Sequence, residues 1–188
     1  LSRWLRDQTD RLPFIMRSRC QTFTLQAPNL AEGEVWLGQQ GFGNARLSLD
    51  VSACAPLAAR EFCASEQDVQ FHALLESLVW CVSGKATSHE IVAIWSGFDI
   101  ETLLNWMALI AEWMIQDKTG RGALGRHSES LAGQIEPLSL RQLMEHYDRL
   151  LGMKRQRGVS VNRELVLDQL QILWSFKPSG MQQAVYRR

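Results

Sequence analysis

Apolar residues recur at helical spacing along most of the chain after residue 25. Those between 71 and 82 lie three or four positions apart on one stripe, which predicts an amphipathic helix over 66–83. Segment 100–114 has one apolar face, and Trp106 and Trp113 open a second face. A helix that is apolar on two sides is expected to be central. The second face either contacts another subunit or is buried within the same domain, and the sequence leaves both open.

Polar residues that favour helix N-termini stand before these apolar segments. Asn29, Thr87 and Ser139 are each followed three residues later by Glu or Gln, which is the capping-box pattern. Asp99 and Asn162 stand before two further apolar segments. We therefore expect a helix to begin after each of these five residues.

The predicted helices divide the chain into two parts. Three short helices are expected over 30–40, 44–52 and 56–64, and longer helices follow them. The predicted fold class is therefore all-α, with a small three-helix domain over 26–64 and a larger helical domain over 65–188.

Two segments do not fit a helical pattern. Residues 22–25 are β-prone, and 117–134 is polar and rich in glycine, which predicts a loop.

The chain starts with neither an initiator Met nor the apolar core of a signal peptide, so we interpret it as a fragment of a longer protein. The longest apolar stretch, 100–115, is interrupted by charged and polar residues, and no membrane association is expected.

The four cysteines, at positions 20, 54, 63 and 81, have neither metal-binding spacing nor the density of a disulfide scaffold. This predicts reduced thiols and a cytoplasmic location. Cys54, Cys63 and Cys81 are interpreted as small core residues.

The glycines at 41 and 43 lack the Lys-Ser/Thr pair of a phosphate-binding loop, so ATP binding by this chain alone is not expected.

The four histidines lie on separate segments without a metal-ligand motif. His72, His89, His127 and His146 are therefore predicted to be surface or capping residues, and no metal is expected.

Charge is unevenly distributed although the whole chain is neutral. Residues 60–117 hold two basic and nine acidic side chains, and residues 118–188 hold twelve basic and six acidic ones. This asymmetry favours docking to a protein partner and is too weak for a nucleic-acid-binding domain.

One segment carries a specific resemblance. Residues 11–21, RLPFIMRSRCQ, resemble a Ser-Arg-Cys element in bacterial clamp-loader subunits of the AAA+ ATPase class. Residues 29–64, with Trp36 in the first helix, are similar to the three-helix lid of that family. Residues 158–170, in which Asn162 precedes the last helix, resemble the end of the collar in the delta prime family of DNA polymerase III clamp-loader subunits.

The resemblance implies a domain order and a function. Residues 1–25 would be the tail of the ATPase core, 26–64 the lid and 65–188 the collar that oligomerises. The parent protein would be a non-motor subunit, a stator, that acts in DNA replication. Its partners would be the gamma/tau motor subunits and the delta subunit, and indirectly the sliding clamp and primed DNA. The fragment would hold no cofactor and would not be an enzyme, because ATP would be bound by partner subunits.

The resemblance also implies a role for Arg19, with Ser18 and Cys20 as its motif neighbours. In the family this arginine is an arginine finger that enters the ATP site of the adjacent subunit. A guanidinium is always charged and can donate two hydrogen bonds to phosphate oxygens, so it stabilises the charge that develops during phosphoryl transfer.

Two other functions remain open at this level. The chain could come from a gamma/tau motor subunit, because Ser18, Arg19 and Cys20 match both kinds of subunit. It could also be a cysteine-dependent enzyme that uses Cys20, which lies next to arginine, together with one of the histidines.

Overall fold

The computed structural model describes residues 28–120, 122, 124–155 and 162–175. Within these residues all regular secondary structure is helical, which confirms the predicted all-α class. The helices are α1 (Leu30–Gln39), α2 (Ala45–Val51), α3 (Pro56–Ala64), α4 (Gln67–Ser83), α5 (Ser88–Trp95), α6 (Ile100–Lys118), α7 (Glu129–Ile135), α8 (Leu140–Arg155) and α9 (Arg163–Trp174).

The predicted N-terminal caps are present. Asn29 and Thr87 form complete capping boxes with the glutamate three residues later. Ser139 exchanges the same pair of bonds with Gln142, at 3.3 and 2.9 Å. The side chains of Asp99 and Asn162 accept hydrogen bonds from backbone N–H groups in the first turns of α6 and α9. Helix starts are local features, which is why sequence predicts them well.

The helices form two packed groups, here named the three-helix unit (α1–α3) and the six-helix unit (α4–α9). Leu37, Leu49 and Ala59 form a small buried cluster inside the three-helix unit. A much larger cluster fills the six-helix unit, and it also takes in Leu47 and Phe62 of the three-helix unit. The two units therefore share apolar contacts.

Helix α6 is the centre of the larger cluster. Both of its apolar faces are buried within this chain, since Trp106 is 6% exposed and Trp113 is 4% exposed. Helix α8 packs along α6, and α7 contacts both α6 and α4. The interpretation of the second face as a contact with another subunit is therefore wrong for these two tryptophans, which are internal.

The predicted loop over 117–134 is wrong in part, because α7 begins inside it at Glu129. Ser128 caps this helix, and Leu131 and Ile135 are buried four residues apart. Tertiary packing of these two side chains stabilises a short helix whose glycine content argues against it.

The N-terminus of the last helix is tied to the loop before α6. The Arg163 guanidinium donates hydrogen bonds to the backbone carbonyls of Ser96 and Phe98, at 2.7 and 2.6 Å. At the other end of α9, Trp174 is fully buried. These contacts fix the start of α9 against the loop between α5 and α6, and its end against His146 of α8.

His146 is buried, so its predicted surface position is wrong. It lies on α8, is 4% exposed, and its ring contacts Trp174 edge to face with centroids 4.6 Å apart. Burial, and to a smaller extent the nearby Arg149, lower the pKa of His146 to about 4, although a hydrogen bond to the Leu173 backbone opposes the shift. The imidazole is therefore neutral in the folded protein near pH 7.

This burial makes stability depend on pH. In the unfolded chain histidine binds a proton below about pH 6.5, whereas folded His146 binds it only near pH 4. The free energy of unfolding should therefore fall as the pH drops from 6.5 to 4, by about 3 kcal/mol at most. His146→Gln should remove most of this dependence in urea titrations at several pH values. The control His72→Gln, at an exposed position, should retain it, and equal pH profiles for the two variants would contradict the assignment.

Candidate functional site

The residues that sequence predicts as the site lie outside the described part of the chain. Ser18, Arg19 and Cys20 all precede residue 28, as does the whole predicted ATPase tail over 1–25. Their roles remain predictions. The described residues bear on function through their thiols, their exposed apolar faces and the junction between the two units.

The cysteines differ in their surroundings. Cys63 and Cys81 are buried, as predicted for small core residues, but Cys54 is exposed and that prediction is wrong. Cys54 stands in the turn after α2, where it and Ala53 both have left-handed backbone angles, with φ of 61° and 50°. Burial raises the pKa of the Cys81 thiol, which is the opposite of what a thiolate nucleophile needs.

Two helices of the six-helix unit carry apolar side chains that no other described element covers. On α8, Leu140 and Met144 are exposed one turn apart, and we name them the α8 face. On α9, Leu165 and Ile172 are exposed two turns apart, and we name them the α9 face. Each pair lies on one side of its helix, so each could contribute to a contact with another protein.

A shallow groove lies between α4 and α5 on the same unit. Its apolar part includes the half-exposed Trp80 and Ile94, and Lys85 and Glu90 lie at its edge. Glu90 is already engaged in the capping box of α5.

The apolar part of the junction is built around Phe62 of α3. Its ring meets Phe71 of α4 and Trp106 of α6 edge to face, with centroids 6.3 and 6.0 Å apart. Phe71 in turn contacts Trp106 and Trp113, at 5.4 and 5.8 Å. One aromatic side chain of the three-helix unit thus enters the aromatic core of the six-helix unit.

The polar part of the junction is a cluster around Asp50 of α2, here named the Asp50 hub. One carboxylate oxygen of Asp50 lies 2.8 Å from His127 Nε2, 3.2 Å from Arg46 Nε and 3.7 Å from an Arg126 nitrogen. Arg46 also pairs with Glu34 of α1 at 3.1 Å. The hub therefore joins α1 and α2 of one unit to the segment before α7 in the other.

His127 is held from two sides, so its predicted surface position is also wrong. Its ring stacks on Trp113 with centroids 4.9 Å apart, and its side chain is 6% exposed. Since a carboxylate only accepts hydrogen bonds, Nε2 carries the hydrogen that is donated to Asp50. Burial lowers the pKa of His127, and the positive charges of Arg126 and Arg46 lower it as well. The hydrogen bond to Asp50 acts in the opposite direction and raises it.

Sequence reasoning missed the hub because its members are far apart in the chain. Asp50 and His127 are separated by 77 positions, and His127 lies in the segment that sequence predicts as a loop. The local signal that existed was Asp117, whose carboxylate accepts the backbone N–H groups of Leu124 and Gly125 at 2.9 and 3.0 Å. These bonds fold the segment back toward α6.

Among the described residues, no three His, Cys, Asp or Glu side chains are grouped so that they could hold a metal ion. No helix in the same residues is both long enough and apolar enough to cross a membrane. Comparison with known proteins finds no family model, no curated protein and no solved structure that matches this chain.

The junction gives a stability prediction. Phe62→Ala removes an aromatic side chain from between the two units and should lower the free energy of unfolding by about 3–5 kcal/mol in urea titrations. Leu57→Ala on the same helix is the control, because Leu57 is 68% exposed and should change stability by about 0.5 kcal/mol or less. A similar loss in both variants would mean that Phe62 does not join the units.

Proposed function

We propose that this chain is the lid and collar portion of a non-motor clamp-loader subunit, of the delta prime kind, that assembles with ATPase motor subunits to load a sliding clamp onto primed DNA. In this role the chain binds proteins and does not itself turn over ATP. Its partners are the gamma/tau motors and the delta subunit, and ATP is their cofactor.

The observation that carries the proposal is an order of features along one chain. The Ser18-Arg19-Cys20 motif is followed by three short helices and then by a larger helical unit whose last helix is capped by Asn162. The same order characterises the family that these segments resemble. The specificity of the proposal comes from the sequence motif, and the all-helical fold supports it.

The six-helix unit has surfaces that suit assembly in a ring. A subunit inside a ring contacts two different neighbours, so it needs two different contact faces. The α8 face and the α9 face supply exposed apolar side chains on separate helices. Trp106 and Trp113 do not contribute, because they are buried within the chain.

In this assembly Arg19 acts in trans, as an arginine finger for the ATP site of the adjacent subunit. A guanidinium placed against the γ-phosphate of ATP in a neighbouring motor subunit would stabilise the transition state only when the ring is assembled. Ser18 and Cys20 are its neighbours in the motif.

The first prediction from this proposed function concerns assembly. The 188-residue chain, mixed at micromolar concentration with the motor and delta subunits of the same organism, should form a complex that contains one copy of it, as measured by light scattering on a sizing column. Ile172→Asp and Met144→Asp each place a charge on one of the two exposed faces, and each should weaken assembly by about tenfold or more.

Leu57→Asp is the matched control, since Leu57 is as exposed as Ile172 but lies in the three-helix unit. It should assemble like the parent chain. If the folded parent chain forms no complex, the proposed function is wrong. If all three variants assemble normally, the α8 and α9 faces are not the contacts.

The second prediction concerns Arg19 in the full-length subunit. Arg19→Ala should leave the complex assembled and lower its ATPase rate, in the presence of clamp and primed DNA, by at least about tenfold. Arg19→Lys should recover little of it, because an ammonium cannot make the bidentate contact. The control Arg11→Ala, in the same segment, should retain the rate, and an unchanged rate in Arg19→Ala would exclude the finger role.

A further inference from the structure

The two helical units are joined by contacts of different kinds. The chain passes between them through Ser65 and Glu66 only, since α3 ends at Ala64 and α4 begins at Gln67. Phe62 lies three residues before Ser65, so the aromatic contact is close to this connection. Apolar contacts are non-directional, and they resist separation of two bodies better than they fix the angle between them.

Among the described residues, the Asp50 hub is the directional contact between the units that includes ion pairs. It lies on α2, away from the connection, and its hydrogen bonds constrain both the distance and the orientation of the groups that they join. The exposed bond from Asn44 to Asp68, at 3.2 Å, is a further polar contact between the units. It is solvent-exposed and involves no cation, so we expect it to contribute less.

The charges at the hub favour a closed state. Asp50 is 14% exposed, so its carboxylate has lost most of its water and depends on protein partners. Arg46 reaches it from the same helix, whereas His127 and Arg126 reach it from the six-helix unit. If the units separated, Asp50 would keep one cation and lose two partners.

The other side of the hub is held in place independently. His127 stacks on Trp113, which is buried in α6. Asp117, near the end of α6, accepts two backbone N–H groups from the segment that carries Arg126 and His127. These contacts hold the segment against α6. Arg126 and His127 therefore have fixed positions, and α2 is oriented by its contacts with them.

We propose that the Asp50 hub is a latch that sets the angle of the three-helix unit against the six-helix unit, so that the two move as one body. Its closed state needs the Asp50 carboxylate and the His127 N–H together. This inference does not depend on the identity of the partners. In a ring of subunits, such a latch would pass a displacement of the three-helix unit to the six-helix unit.

The test measures the distance between the units by electron–electron double resonance on the 188-residue chain. Spin labels are attached at Val35→Cys on α1 and His89→Cys on α5, both exposed, in a background with Cys20→Ser and Cys54→Ser. The parent should give one narrow distance distribution. Asp50→Asn and His127→Phe should each broaden it by about twofold or more, because the first removes the carboxylate charge and the second keeps a ring beside Trp113 but removes the N–H donor.

The control is Glu34→Gln, which makes the same kind of charge change beside Arg46 without touching the six-helix unit. It should keep the narrow distribution. Circular dichroism separates a change of angle from a loss of helices. If Asp50→Asn loses helicity, His127→Phe decides, because His127 lies outside the three-helix unit. Parent-like widths in a folded His127→Phe variant would overturn the latch.

Discussion

The burial of both apolar faces of α6 is the constraint on which the rest of the structure depends. A central helix needs apolar residues over most of its circumference, and α6 buries nine side chains between Leu103 and Met114. Only a narrow polar stripe with Asn105 and Glu112 is exposed along this stretch. The ring of Trp106 on α6 contacts three other aromatic rings, those of Phe62, Phe71 and Phe98. Because these rings come from α3, α4 and the loop before α6, one side chain sets the positions of three segments.

The same helix explains how the two units are coupled. Its aromatic side chains receive Phe62 from the three-helix unit, and its end holds the segment that brings His127 to Asp50. The apolar contact supplies most of the stabilisation, as burial of an aromatic side chain contributes several kcal/mol. The Asp50 hub, as proposed above, fixes the angle between the two units. A subunit that must hold neighbours at fixed positions would need both.

Much of the fold could be predicted from sequence because helix ends are encoded locally. Asn29, Thr87, Asp99, Ser139 and Asn162 each have a cap role that depends only on residues within one turn. Helix α7 was missed because its stability depends on burying Leu131 and Ile135, which is a tertiary effect. The loop prediction for its segment relied on its polar, glycine-rich composition.

The candidate site was less predictable for the same reason. The positions of His127 and His146 depend on Trp113 and Trp174, which are distant in sequence, so a local pattern could not distinguish a buried histidine from an exposed one. Cys54 was misassigned because its place in a left-handed turn is set by the packing of α2 and α3. The Asp50 hub has no sequence motif at all.

The central claim is that this chain occupies one position in a ring of clamp-loader subunits. The most direct test is a cryo-electron microscopy map of the motor and delta subunits assembled with the full-length parent protein, ATP analogue and clamp. The account predicts density for the six-helix unit between two neighbours, with α8 and α9 at the contacts, α6 internal, and Arg19 at the γ-phosphate of an adjacent motor subunit. A complete ring that lacks this chain, or one that places Arg19 away from any nucleotide, would contradict it.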